Sequence, residues 1–144
     1  MESQLLAHLR DHSQRWGFSA QESLLLYLAD LLEQRLTRVD IIPDPSFAER
    51  YLQLYEQYNR AAFKDFADSA LFFCSLLPDY GQRRGLSMDY YAALGISTYY
   101  ALADLAGDHR FTQLGNWFYT LQQFLNSALK PNRDLLLIDL LEPR

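Results

Sequence analysis

The stretch Tyr90–Ala103 reads YYAALGISTYYALA, and it decides the fold class. It carries no charge, and apolar or small residues lie on every side of a helix drawn through it. A helix that is apolar all round belongs in an interior. The stretch therefore predicts a central buried helix over about 88–106, capped by Ser87 and ended by Gly107. Gly95 sits in its middle and costs about 1 kcal/mol of helix propensity relative to Ala. A close helix–helix approach at Ala92 and Gly95 is the expected return.

Working outward, apolar residues recur at three and four, the helical period, and no segment alternates as a strand does. A first helix is expected from Ser3 to Arg15, with Leu5, Leu6, Leu9 and Trp16 on one arc and Gly17 at its end. A capping box, Ser19 with Glu22, starts a second that runs to about Arg38 through Leu24, Leu25, Leu28, Leu31, Leu32 and Leu36. The two prolines of Asp40–Pro45 stop it. Ser46 and Glu49 form another capping box before a segment carrying Tyr51, Tyr55 and Tyr58. Residues 47–77 read equally as one long helix or as two with a break near Asn59. Gly107 and Asp108 separate the central helix from another over Phe111–Leu129, and the run from Asp134 predicts a short C-terminal helix. The expectation is an all-α, single-domain irregular bundle of five to six helices spanning 1–144, around the helix at about 88–106.

Composition narrows the function classes. The chain has 144 residues, 49% hydrophobic, 22% charged and 15% aromatic, with a net charge of −5. An acidic chain with no short basic recognition helix does not fit a nucleic-acid binder that works by counterion release. The N-terminus lacks a basic region followed by an apolar core, so it does not read as a secretory signal. Phe111–Leu129 is free of charge and long enough for a membrane span, but its amides Gln113, Asn116, Gln122, Gln123 and Asn126 do not suit lipid. The one cysteine, Cys74, lies in an apolar run, reads as a small buried residue and fits a cytoplasmic location.

Residue patterns for chemistry are sparse. No Glu-x-x-His pair marks a di-iron bundle, and His8, His12 and His109 lack the partners of a zinc site, so neither metal nor cofactor is expected. No Gly-x-Ser-x-Gly elbow or phosphate loop is present, and no nucleophile stands beside an obvious base, so an enzyme is only the third reading. Two places stand out. Arg83 and Arg84 precede a capped helix start, where free N–H groups and the helix dipole favour anions. With Ser87, Asp89, Tyr90, Tyr91 and Tyr99 they make a candidate site for an anionic or aromatic ligand near 79–91. The plain alternative is that Asp79 and Asp89 neutralise the arginines and the tyrosines are core. In Phe111–Leu129, Leu114, Trp117, Phe118, Leu121, Phe124, Leu125 and Ala128 share one face. Gln113, Asn116, Thr120, Gln123 and Ser127 share the other. A neutral amide face suits a two-fold contact with an identical helix, and Gln113, Asn116, Trp117, Thr120 and Gln123 are the candidate interface. Cover by the C-terminal segment is the alternative.

Arg83, Arg84, Asp89, Tyr90, Tyr91, Gly95 and Tyr99 together resemble a pattern in a family of small, uncharacterised bacterial helical proteins. The resemblance covers about a fifth of the chain and implies a bacterial, cytoplasmic, all-helical protein. It implies no catalytic residue. The leading functional expectation is a non-enzymatic interaction protein, homodimeric through neutral and aromatic helix faces. The alternative is a small-molecule binding module at 79–91.

Overall fold

The computed structural model describes residues 4–16, 21–36, 47–76 and 88–129. Seven helices account for nearly all of them: α1 (Gln4–Trp16), α2 (Glu22–Leu36), α3 (Phe47–Gln57), α4 (Arg60–Leu76), α5 (Met88–Ala106), α6 (His109–Asn116) and α7 (Phe118–Leu129). No strand occurs among the described residues. The all-α bundle expected from the periodicity is present, with more helices than the five or six predicted. Ser19, Ser46, Ser87 and the C-terminal run from Asp134 lie outside the described residues.

The extra helices come from two breaks. Between α3 and α4, Tyr58 adopts a left-handed φ of 52°. Asn59 then caps α4, its Oδ1 accepting from the backbone N–H of Ala61 at 2.9 Å and of Ala62 at 3.4 Å. The segment 47–77, open in the sequence, is therefore two helices. The single helix expected over Phe111–Leu129 is also two. At Trp117 ψ opens to 14°, although the N–H of Trp117 still donates to Gln113 O and that of Leu121 to Trp117 O. The bend parts two neighbouring side chains: Phe118 turns fully into the core while Trp117 stays 40% exposed.

The boundary between α5 and α6 follows its residues. Gly107 takes φ +65°, which a side chain would resist, and Asp108 accepts from the N–H of Arg110 at 3.0 Å as the N-cap.

Burial places α4 at the centre beside α5. Phe63 and every residue from Phe66 to Leu76 are buried, and α4 packs against α2, α3, α5 and α7. Each large apolar side chain so enclosed contributes about 1.5–3 kcal/mol. The most enclosed helix is thus α4, from Phe66 onward, rather than the predicted 88–106 element. In α5, Tyr91, Ala92, Gly95, Tyr99 and Leu102 face inward, while Tyr90, Ala93, Tyr100 and Asp104 face solvent. The lack of charge over 90–103 reflects small and aromatic surface residues as well as core. Gly95 makes the predicted close approach: a Cβ there would stand 2.8 Å from Ala70 Cβ and 2.9 Å from the Phe118 ring. Buried hydroxyls are satisfied locally, Ser75 donating to Leu71 O and Thr98 to Leu94 O, both at 2.7 Å.

Candidate functional site

The most concentrated polar chemistry among the described residues surrounds Asp68 of α4, which is 0% exposed. Its Oδ1 accepts from the hydroxyls of Tyr27 (α2) at 2.6 Å and Tyr99 (α5) at 2.7 Å. Its Oδ2 accepts from Lys64 Nζ, one turn earlier on α4, at 2.9 Å and stands 4.0 Å from Arg35. Arg35 of α2, also buried, donates to both the carboxylate and the carbonyl of Asp65, at 3.0 and 3.1 Å. One buried charge can exist here because phenols and cations replace its water. Burial, and then the negative charge of Asp68, holds the hydroxyls of Tyr27 and Tyr99 protonated far above the usual phenol range. The cluster cross-links α2, α4 and α5. With Asp68 and Tyr99 sealed from solvent, the cluster acts as a structural lock.

Sequence reading missed Asp68, Arg35, Lys64 and Tyr27. A signal for two of them was present. Arg35 falls seven residues after Leu28 and four after Leu31, on the apolar arc of α2, and Asp68 interrupts the buried run of α4. A charge on a core arc demands a partner, but the pairing joins residues 27, 35, 64, 68 and 99, which periodicity cannot connect.

The residues predicted for an anion or aromatic ligand separate. Arg83, Arg84 and Ser87 lie outside the described residues. Asp89 and Tyr90 are exposed at the start of α5, and burial, then the negative charge of Asp89, pushes the Tyr119 hydroxyl up. Tyr91 and Tyr99 are core residues, and the Tyr99 hydroxyl is committed to Asp68. The tyrosines of α5 therefore do not converge on one cavity. On α3, Tyr51 joins its hydroxyl to Ser97 of α5 at 2.9 Å, while Tyr55 and Tyr58 are exposed with rings edge-on to Phe63.

The residues predicted for an interface lie along α6, at Trp117 and on α7. Asn116, Trp117, Thr120 and Gln123 are exposed, and Gln113 is half-buried. Tyr119 joins them at 48% exposure, and Tyr100 of α5 lies alongside, donating to Asn116 Oδ1 at 2.6 Å. Gly115 lets the Tyr100 ring approach α6 closely, since a Cβ there would stand 2.7 Å from it. These side chains carry no charge.

The remaining candidates are structural. Burial pushes the Cys74 thiol up to about 12, so it carries no thiolate at neutral pH. His8 Nε2 donates to Ala128 O at 2.7 Å, and His12 Nε2 meets Ser127 Oγ at 3.1 Å, so both histidines dock α1 on α7. Burial, then Arg15 and His8, lowers the His12 pKa, with Asp11 opposing. Among the described residues no group of three or more His, Cys, Asp or Glu is arranged to hold a metal ion, and no helix is long and apolar enough to cross a membrane. Compared with protein-family models, with curated proteins and with solved structures, the chain matches none, so its resemblance to the bacterial helical family rests on the 83–99 motif alone.

Proposed function

We propose that the chain is a non-enzymatic interaction protein that pairs with a second copy of itself through the surface where α6 meets α7. The observation that carries this reading is the exposed face formed by the uncharged side chains of Asn116, Trp117, Tyr119, Thr120 and Gln123. A chain of net charge −5 repels its own copy over most of its surface. A neutral patch is where two copies approach without that penalty. Interface cores are also enriched in Trp and Tyr and depleted of charge, as this patch is. Amides supply both donors and acceptors, so the same patch can bond to itself across a two-fold axis.

The ligand-module alternative draws less support, because Tyr91 and Tyr99 are spent on the core. Oxidative cross-linking tests the face directly. Thr120→Cys is expected to give an intermolecular disulfide band under mild oxidation, whereas Gln14→Cys, on the exposed side of α1, is not. Buried Cys74 stays silent in both. Equal cross-linking of the two variants, or none in either, contradicts the assignment.

A further inference from the structure

The corner between α3 and α4 consists of Tyr58 and Asn59. Helical bonding reaches it from both sides. The N–H of Tyr58 donates to Leu54 O and that of Phe63 to Asn59 O, both at 3.0 Å and both in the i→i−4 pattern. What turns the chain is the left-handed φ of 52° at Tyr58, together with the Asn59 side chain that caps α4. Asn and Asp tolerate a left-handed φ because their short side chains bond locally, which a tyrosine cannot do. Neither Gly nor Pro occurs anywhere in 47–76. Nothing in this stretch opposes one continuous helix over 47–76, about 45 Å long.

The bend is held by what α3 meets rather than by its own backbone. Among the described side chains of α3 only Leu54 is buried. Tyr51 bonds to Ser97 of α5, and the Tyr55 ring stands edge-on to Phe63. Straightening the corner in a single chain uncovers Leu54 and Phe63, and a second copy covers them again with identical groups. The same holds for the contacts that join the elements before the corner to those after it. Tyr27 and Arg35 of α2 meet Asp68 and Asp65, and His8 and His12 of α1 meet α7. Exchanging α1, α2 and α3 between two copies re-forms these pairs in trans and leaves no buried charge unpaired. The two arrangements then differ at the corner, and short hinges under strain invite such exchange.

We propose that 47–76 is a two-state element, bent at Tyr58 in the single chain and straight in a dimer whose copies exchange α1, α2 and α3. The partner is a second copy, but the contact does not use the α6–α7 face. Exchange requires the release of three helices, so it takes place while the chain folds, and its product separates slowly.

Refolding tests it on a Trp117→Lys background, which takes the α6–α7 contact away. This chain and its versions with Asn59→Ala or Tyr58→Gly are refolded from denaturant at high and at low protein concentration. Each is checked for helicity by circular dichroism, diluted, and sized by gel filtration. Refolding at high concentration is expected to give a dimer that survives dilution, and refolding at low concentration a monomer. Asn59→Ala removes the cap and suits a helix interior, so it raises the dimer fraction about fivefold. Tyr58→Gly relieves the left-handed φ and weakens a continuous helix, so it lowers the fraction about fivefold. A dimer through any other face dissociates on dilution and ignores both hinge variants. No dilution-resistant dimer in any of the three, or equal fractions in Asn59→Ala and Tyr58→Gly, overturns the proposal and leaves the α6–α7 reading untouched.

Discussion

Around Asp68, a carboxylate, two phenols and two cations meet at the junction of α2, α4 and α5, inside the molecule. Around Trp117, at the bend between α6 and α7, the side chains open to solvent are aromatic rings and amides, with the carboxylate of Asp89 near Tyr119. The two regions reverse the common arrangement of apolar inside and charged outside. The difference teaches what each is for. A buried ionic cluster is a weak source of net stability, but it is costly to break because each survivor is left unpaired. It therefore ties three helices into one register. A neutral aromatic surface contributes little to holding the monomer together and leaves its contacts available to a partner.

The contrast breaks most severely at Asp68. Asp68→Ala removes the acceptor of Tyr27, Tyr99 and Lys64 together, and is expected to cost about 3–5 kcal/mol in denaturant unfolding. A cost below about 1 kcal/mol, the size of an exposed ion pair, would mean that the cluster locks nothing.

Two glycines sharpen the same comparison at intermediate scale. In Gly95→Ala the new methyl meets Ala70 Cβ and the Phe118 ring, both held in the core, and overpacking outweighs the gain in helix propensity by about 1–2 kcal/mol. In Gly115→Ala the obstacle is the Tyr100 ring, which is partly exposed and can swing outward. Its effect on thermal stability is expected to stay within about 0.5 kcal/mol. Equal losses would show the Tyr100 surface to be as rigid as the core.

The smallest expected effect concerns the docking of α1. His12 has its pKa lowered below the ordinary imidazole value of 6.5, chiefly by burial. Its contribution is therefore complete above about pH 6.5 and is lost as pH falls through the lowered folded value. Comparing the wild type with His12→Gln across pH 5–7 isolates this share from the carboxylates. Stability of the wild type is expected to fall more steeply toward acid than that of the variant. Parallel curves would mean that the imidazole of His12 is not felt by the α1–α7 contact.

Much of the fold was legible in the sequence, because three- and four-residue spacing of Leu and Phe has one structural meaning. Gly107 with Asp108 and the close approach at Gly95 were readable for the same reason: small or capping residues there have few alternative uses. The break at Trp117 was not read, although Gly115 and Asn116 stand just before it, because the apolar spacing and the backbone bonding both run through. The central place of α4 was hidden by Lys64, Asp65 and Asp68, which read as surface charges until Arg35, Tyr27 and Tyr99 arrive from other helices to pair them. The neutral face was legible because amides in place of Lys and Glu form a one-dimensional signal.

The central claim is that the face of uncharged side chains is a contact between two copies. Sedimentation equilibrium of the wild-type chain beside Trp117→Lys tests it most directly. The account predicts a wild-type mass near twice 16.8 kDa at micromolar concentration, and a shift to the single-chain mass when a charge enters the patch. A wild-type monomer, or a dimer unchanged by Trp117→Lys, contradicts it.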